Sequence, residues 1–213
     1  MNPAAPRGID TGFPGFRFWP GLLSTAEQSD LRDTVLLALE TAPFYRPVTR
    51  SGRPFSVEMS NLGPLGWVSD RAGYRYQPNH PVTDAAWPPM PAMLIGMWTA
   101  LTGWPEPPDA CLVNLYRAGA KMGMHQDRDE EDLTAPVLSI SLGDAAIFRI
   151  GASDGGPTRS FRLASGDVCA LTGPARMARH GVDRIVAGSS AMISGGGRLN
   201  LTLRKVVALP ERA

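Results

Sequence analysis

The strongest constraint on the fold is a change in the spacing of apolar residues near residue 110, from helical before it to alternating after it. Beyond that point short apolar or alternating segments follow one another, and Gly-containing turns separate most of them. These segments are Cys111–Tyr116, Val137–Leu142, Ala146–Ile150, Phe161–Leu163, Val168–Leu171, Ile185–Ala187 and Arg198–Val206. The chain is therefore predicted to be mostly β with flanking helices, as in a barrel or jelly roll.

Two helices are predicted before these strands. Ser24–Glu27 has the pattern of a capping box, and Pro43 ends the helix that follows it. The apolar residues of this helix at helical spacing are Leu31, Val35 and Leu39. A second helix is predicted from about Pro88-Pro89 to Gly103, with an apolar stripe interpreted as core packing. That stripe comprises Met90, Met93, Leu94, Met97 and Leu101.

The length of 213 residues suits one domain with one sizeable core. Residues 1–15 are rich in Pro, Gly and Ala and are interpreted as a loose leader, and residues 16–213 as a single domain. The first 20 residues lack a signal pattern, and no apolar run is long enough to span a membrane. We therefore expect a cytoplasmic monomer in which Cys111 and Cys169 are buried free thiols.

Residues 44–76 are more basic and more aromatic than the segments on either side. Five arginines stand against only Glu58 and Asp70, although the net charge of the whole chain is just +1. Aromatic residues are interleaved with Arg46, Arg50, Arg53, Arg71 and Arg75. Because no global basic field exists, a nucleic-acid partner would have to be held by local patches such as this one. We interpret the segment as a lid or insertion, with a solvated surface as the alternative.

A candidate metal site is formed by two of the three histidines. His125 and Asp127 form an H-x-D step, and residues two apart on a strand point to the same face. His180, near another predicted strand, would complete a 2-His-1-carboxylate set for non-haem iron(II). A structural histidine beside a surface acid and a zinc site are the alternatives, although zinc usually has more His or Cys ligands. His80 is interpreted as a surface histidine without a role.

The last predicted strand carries a polar face suited to an organic acid. Arg198, Asn200, Thr202 and Arg204 alternate with three leucines, so the four polar side chains point one way. Two arginines with an amide and a hydroxyl make a receptor for a dicarboxylate. Asn114 and Tyr116 form a similar polar pair on an earlier strand. Plain outward polarity is the alternative interpretation of this pattern.

The order of these motifs along the chain resembles that of the AlkB dioxygenases. The resemblance rests on Asn114–Tyr116, Gly119, His125–Glu130, His180-Gly181 and Arg198–Arg204, and upstream on Met59–Asn61, Leu65–Trp67, Gly73-Tyr74 and Pro108–Leu112. It covers residues 15 to 206. It implies a double-stranded β-helix with a nucleotide-recognition lid, here residues 44–80. It also implies Fe(II), 2-oxoglutarate and O2 as cofactor and cosubstrates.

The resemblance further implies roles for individual residues. His125, Asp127 and His180 would hold Fe(II). Arg198 and Arg204 would bind the two ends of 2-oxoglutarate, helped by Asn114, Tyr116 and Asn200. Trp67 and Tyr74 would form the base pocket and Asp129 and Glu130 would flank it, with Asp129 and Arg204 as further catalytic residues. Arg159 is the expected pocket arginine, with Arg162 as the alternative because the spacing differs by one.

The activity implied by the resemblance is the repair of alkylated bases. The substrates would be N1-methyladenine and N3-methylcytosine in single- or double-stranded DNA, with RNA as a further possibility, and the products succinate, CO2 and formaldehyde. Two alternatives share parts of the pattern. One is an Fe(II)/2-oxoglutarate hydroxylase of a protein or small molecule, and the other is a non-catalytic nucleic-acid-binding barrel.

Overall fold

The fold is built from two antiparallel sheets and a separate hairpin in a computed structural model that describes residues 6–208. The strands are β1 Phe16–Trp19, β2 Glu58–Leu62, β3 Gly66–Asp70, β4 Gly73–Gln77, β5 Ala110–Tyr116, β6 Met122–His125, β7 Val137–Gly143, β8 Ala145–Gly151, β9 Thr158–Leu163, β10 Val168–Leu171, β11 Arg179–Val186 and β12 Arg198–Arg204. The large sheet has the order β1-β10-β7-β12-β5-β2, the small sheet has the order β6-β11-β8-β9, and β3 pairs with β4. This is the predicted mostly-β jelly roll.

The two helices, α1 Thr25–Ala38 and α2 Ala92–Thr102, pack on one face of the large sheet. Their buried residues share an apolar cluster with the leucines of β12, which are Leu199, Leu201 and Leu203. The other face of β12 therefore looks into the space between the sheets. The alternation predicted for this strand is confirmed, because it separates a helix-facing apolar side from an interior polar side.

The capping box at α1 is present, with the Ser24 side chain and Glu27 each capping the other's backbone amide. The prediction for the start of α2 is wrong by a few residues, because the helix begins at Ala92 after Pro91. A residue before proline is biased towards extended backbone, so prolines at 88, 89 and 91 delay the helix. Met90 therefore lies outside the helix, although it still packs against the core.

Three strands of the small sheet differ from the prediction. β11 begins at Arg179, six residues before the predicted strand, and β9 begins at Thr158. The additional residues at the start of these two strands do not alternate in hydrophobicity. Those of β9 are all polar, and those of β11 include polar residues that point into the site. β6 was not predicted as a strand, and it pairs with β11 at one edge of the small sheet.

The segment interpreted as a lid is not a simple insertion. β2 lies inside it and pairs with β5, so it belongs to the large sheet. The parts that stand apart from the sheets are two hairpins, one over residues 47–55 and the other formed by β3 and β4. We call these two hairpins the lid hairpins.

His80 is buried at the base of the lid, which corrects its interpretation as a surface residue. Its Nε2 lies 2.8 Å from the carbonyl oxygen of Pro43. Its Nδ1 accepts hydrogen bonds of 3.1 Å from the backbone amides of Val82 and Thr83. The imidazole thereby joins the chain entering the lid to the chain leaving it.

The remaining predictions concern the chain ends, the thiols and the membrane. Of the predicted leader, residues 1–5 lie outside the described residues, while Ile9 forms a β-bridge with Phe18. Cys111 and Cys169 are free and buried, as predicted. None of the helices in residues 6–208 is long and apolar enough to cross a membrane.

Candidate metal centre and cosubstrate pocket

Three side chains that can bind a metal converge in the cavity between the two sheets. The ligand atoms of His125, Asp127 and His180 lie within 4.8 Å of one another. His125 Nε2 is 3.6 Å from one carboxylate oxygen of Asp127, and His180 Nε2 is 3.6 Å from the other. The structure thus brings together the three residues selected from the sequence, in the ligand set of a non-haem iron(II) site.

Only one residue of the H-x-D step lies on a strand. β6 ends at His125, and Asp127 follows in a segment without regular structure, so the prediction of a shared strand face is wrong. His125 and His180 meet because they are paired residues of β6 and β11. Asp127 is positioned instead by Arg176, whose Nη1 donates a 2.6 Å hydrogen bond to its carbonyl oxygen.

Backbone carbonyls orient both histidines towards Asp127. His125 Nδ1 lies 2.8 Å from the carbonyl oxygen of Gly123, and His180 Nδ1 lies 3.1 Å from that of Ala178. A carbonyl can only accept, so Nδ1 carries the proton and the lone pair of Nε2 points to the site. Burial lowers the pKa of His180 to about 4, which keeps its ring neutral near pH 7.

A buried ion network holds Asp127 in its charged form. Arg204 Nη2 lies 2.6 Å from Asp127 Oδ1, and Arg204 Nη1 lies 2.9 Å from Glu130 Oε1. Arg176 Nη2 is 3.0 Å from the other oxygen of Glu130. Burial by itself would raise the pKa of Asp127, but the charge of Arg204 beside it holds it well below its usual range. Two cations thus balance two anions, as buried charges require.

The polar face of β12 continues from this network, with Asn200, Thr202 and Arg204 lining the cavity and Arg198 buried outside its lining. Arg198 Nη2 donates a 2.6 Å hydrogen bond to Asn200 Oδ1, and Asn200 Nδ2 donates one of 2.8 Å to Thr202. Across the sheet, Asn200 pairs with Asn114 and Arg198 pairs with Tyr116. The predicted cosubstrate residues therefore lie together on neighbouring strands.

Several buried polar atoms on this face and at the adjoining metal site lack a hydrogen-bond partner among residues 6–208. They are Nε and Nη1 of Arg198, Nε of Arg204, Oδ1 of Asn114 and Oδ2 of Asp127. Burial lowers the pKa of Arg198, and this guanidinium forms no ion pair with any residue of the described chain. An uncompensated buried guanidinium is costly, so the arrangement fits an anionic ligand beside Arg198 and a cation beside Asp127.

One cavity of about 810 Å³ connects the metal ligands to the lid hairpins. Its inner wall includes Asn114, Tyr116, Asn200 and Arg204, and its outer part includes Trp67 and Tyr74. This volume is in the range of sites that bind small organic ligands. The cavity therefore has room for a cosubstrate at its inner end and a further ligand beneath the lid.

The outer wall is held in place by a hydrogen bond across the cavity mouth. Trp67 Nε1 donates to Asp129 Oδ2 at 2.8 Å, which ties the lid to the segment that follows the metal ligand Asp127. Trp67 also stacks on Tyr74, with ring centroids 5.4 Å apart and an interplanar angle of 27°. Trp67, Tyr74 and Asp129 therefore form one aromatic and acidic wall.

Two predicted pocket residues lie elsewhere. Glu130 is buried behind the wall, where it accepts hydrogen bonds from Tyr76, Arg176 and Arg204, and it is not part of the cavity lining. Arg159 lies near the far end of β9, where its Nη1 donates to the carbonyl oxygen of Thr11. Arg162 is exposed on the opposite face of the same strand. Neither arginine lines the described cavity, because β9 passes it only at Leu163.

Sequence reasoning missed several residues of the site. Arg176, which positions both Asp127 and Glu130, directly follows a short 3-10 helix and has no periodic pattern around it. Arg128 and Arg179 flank the metal ligands in sequence and line the cavity. Their positions beside His180 and Asp127 were the only available signal.

Comparison with known proteins agrees with this site. The model of the 2OG-Fe(II) oxygenase superfamily matches residues 15–204. An AlkB homolog of Caulobacter vibrioides, described as an alpha-ketoglutarate-dependent dioxygenase, is 59% identical over 196 residues, covering 92% of this chain and 89% of that protein. The AlkB dioxygenase of Salmonella typhimurium is 41% identical, covering 84% of this chain and 85% of that protein.

This chain belongs to the AlkB family of 2OG-Fe(II) oxygenases. Its fold matches the solved structure of OsALKBH1 with a TM-score of 0.79 and 29% identity, covering 91% of this chain and 97% of that one. It is accordingly a dioxygenase that uses Fe(II), 2-oxoglutarate and O2. The unpartnered oxygen of Asp127 fits the metal and the unpartnered guanidinium of Arg198 fits a carboxylate of the cosubstrate.

Proposed function

We propose that this AlkB-family dioxygenase removes alkyl groups oxidatively from damaged bases, such as N1-methyladenine and N3-methylcytosine, in DNA and also in RNA. The observation that carries the proposal is the single cavity in which the wall of Trp67, Tyr74 and Asp129 faces the metal ligands. A flat aromatic wall beside an oxidising centre suits a flat ring that carries the group to be oxidised.

We assign the metal to His125, Asp127 and His180, and the two ends of 2-oxoglutarate to Arg198 and Arg204. Fe(II), when bound, supplies the oxidation of an N-methyl group by O2, coupled to decarboxylation of 2-oxoglutarate to succinate. Arg204 also keeps Asp127 charged, so it acts on both the metal and the cosubstrate. Asn114, Tyr116 and Asn200 orient the cosubstrate, and the oxidised methyl group leaves as formaldehyde.

Base recognition is assigned to the aromatic and acidic wall. Trp67 and Tyr74 offer ring faces for stacking, which tolerates different bases. Asp129 places a carboxylate beside the ring, and this favours the positive charge that methylation gives to N1-methyladenine and N3-methylcytosine. Glu130 contributes indirectly, because it fixes Arg204 rather than touching the base.

Residues 44–80 act in this proposal as the nucleotide-recognition lid. A methyl group at the pairing edge is hidden in a duplex, so the nucleotide must be extruded or presented in a single strand. Methylation weakens pairing, and the damaged nucleotide is therefore the one extruded most easily. We also propose that the protein acts as a monomer in the cytoplasm.

The test is an assay on a short single strand bearing one N1-methyladenine. The protein is loaded with Fe(II) without oxygen, and oxygen, 2-oxoglutarate and the strand are then added. Mass spectrometry of the strand is expected to show loss of the methyl group, with succinate formed in parallel. Succinate without demethylation of any methylated DNA or RNA strand would reject the nucleic-acid substrate and favour a protein or small-molecule hydroxylase.

A further inference from the structure

The five arginines of the lid fall into two groups by their partners. Arg46 forms an ion pair with Glu58 at 3.1 Å, and Arg75 forms one with Asp70 at 2.9 Å. Arg50, Arg53 and Arg71 form no ion pair or side-chain hydrogen bond with any residue of the described chain. The two acids of the lid are thus used by one group, and the other group retains its full positive charge.

The unpaired arginines lie on the tips of the two lid hairpins. The first tip is the turn of residues 49–53, closed by a 2.9 Å hydrogen bond from the Thr49 amide to the Arg53 carbonyl. The second is the turn between β3 and β4. The hairpins are joined because Ser69 Oγ donates a 2.6 Å hydrogen bond to the carbonyl oxygen of Val48. The two tips are therefore held beside each other.

Each tip carries an arginine that covers a glycine of the other tip. A Cβ placed on Gly73 would lie 2.7 Å from Nε of Arg50, and a Cβ placed on Gly52 would lie 3.3 Å from Nε of Arg71. Both glycines have positive φ angles, which favour residues without a side chain. The absence of side chains there lets each guanidinium group lie close to the backbone of the neighbouring turn.

We propose that Arg50 and Arg71 together bind a backbone phosphate of the strand that carries the target base. This inference rests on the proposed function and specifies how the lid holds its substrate. Two guanidinium groups without acidic neighbours suit a phosphodiester, since arginine binds phosphate oxygens in a forked geometry. Arg50 and its neighbour Thr49 also line the central cavity, so the bound phosphate lies next to the nucleotide beneath the lid.

The local charge of the lid tips, and not the charge of the whole protein, determines where a nucleic-acid strand binds. The net charge of the chain is +1, so long-range attraction for nucleic acid is weak and affinity depends on such unpaired sites. Arg46 and Arg75 are already neutralised and add little. Arg53 lies on the same tip as Arg50 and strengthens the positive potential there.

The test measures how strand binding depends on salt. Protein holding Fe(II) and 2-oxoglutarate is kept free of oxygen, and fluorescence anisotropy follows its binding to an unmodified labelled single strand. For a single strand, the slope of log K against log salt falls by about 0.7 for every phosphate that the protein no longer neutralises. Arg50→Gln and Arg71→Gln are each expected to bind several-fold more weakly and to show a slope smaller by about that amount. Arg50→Lys, which keeps the charge, is expected to retain the slope.

Arg46→Gln is the matched control, since it removes one positive charge from the same lid at a residue already paired with Glu58. Its slope is expected to equal that of the unaltered protein. An equal decrease of slope in all three glutamine variants, or no decrease in any, would overturn the proposal. Displacement of the strand by inorganic phosphate at constant ionic strength, without a slope change in the variants, would assign the site to a free anion and also overturn it.

The anisotropy experiment measures binding without catalysis. The phosphate site and the repair reaction can therefore be rejected independently of each other. Unchanged slopes in a protein that demethylates the N1-methyladenine strand would reject the phosphate site alone. Smaller slopes in the variants of a protein that demethylates no strand would reject the repair reaction and keep the phosphate site.

Discussion

Arg198 and Arg204 lie on the same face of β12, but their surroundings differ sharply. Arg204 is fixed by Asp127, Glu130 and Tyr76, whereas Arg198 donates one hydrogen bond to Asn200 and keeps Nε and Nη1 without partners in the described chain. Arg204 is thus part of the framework before any ligand arrives. Arg198 has donor atoms that are free to bind a carboxylate.

Arg198→Gln is therefore expected to weaken 2-oxoglutarate binding while leaving the metal site intact. A charge-assisted hydrogen bond to a carboxylate contributes about 1.5–3 kcal/mol, so the KM for 2-oxoglutarate should rise at least tenfold. Steady-state succinate formation measures this, and equilibrium dialysis measures bound iron. Arg149→Gln is the control, because Arg149 pairs with Asp183 away from β12. An unchanged KM would show that Arg198 does not hold the cosubstrate.

His180 gives the iron-free protein a specific dependence on pH. Burial lowers its pKa to about 4 in the folded state, against about 6.5 for an unperturbed histidine. Between these values the unfolded chain takes up a proton that the folded chain does not, so stability falls as pH falls through this window. Urea unfolding at pH 7 and pH 5 should show a smaller decrease in His180→Asn than in the unaltered protein. Equal decreases in both proteins would contradict the buried neutral ring.

At the scale of elements, the close approach of β6 to β11 brings the two histidines together. Gly181 follows His180 on β11 where the two strands meet. A Cβ on Gly181 would lie 2.6 Å from the carbonyl oxygen of Met122 and 2.9 Å from that of Gly123. The lack of a side chain therefore sets the spacing between the strands.

Gly181→Ala is expected to push β6 away and lower iron affinity by about 10- to 100-fold, as loss of support around metal ligands typically does. Competition with a coloured chelator measures this affinity. Gly123→Ala is the control, because a Cβ at Gly123 meets no atom within 4 Å. Equal iron affinity in both variants and the unaltered protein would show that the strand spacing does not determine the site.

The same elements show what the sequence predicts and what it does not. β12 was predicted correctly because alternating leucines and polar residues record its two faces directly. β11 was largely missed, since its first residues point polar and charged groups into the cavity and break the alternation. The sequence also did not predict that Asp127 lies outside the strand. Its position depends on a hydrogen bond from Arg176, which is distant in sequence, and no local pattern encodes that interaction.

At the scale of the whole molecule, the jelly roll assembles one site from both sheets and from the lid. The large sheet supplies the polar face of β12 and β5, the small sheet supplies His180 and His125, and the lid supplies Trp67. The fold class was predicted because alternating short segments record the strands directly. The convergence of His125, Asp127 and His180 was also predicted, although the shared strand face given as its reason was wrong. Arg159 was misplaced because the path of β9 past the cavity depends on tertiary packing.

The central claim is that His125, Asp127 and His180 couple oxidation of 2-oxoglutarate to removal of a base methyl group. A single-turnover experiment tests it most directly, with protein holding one equivalent each of Fe(II) and 2-oxoglutarate, mixed with oxygen and one equivalent of a strand bearing N3-methylcytosine. We expect succinate, formaldehyde and repaired base in equal amounts, and none of the three from Asp127→Ala. Repair by Asp127→Ala equal to that of the unaltered protein, or succinate from the unaltered protein without repaired base, would contradict the account.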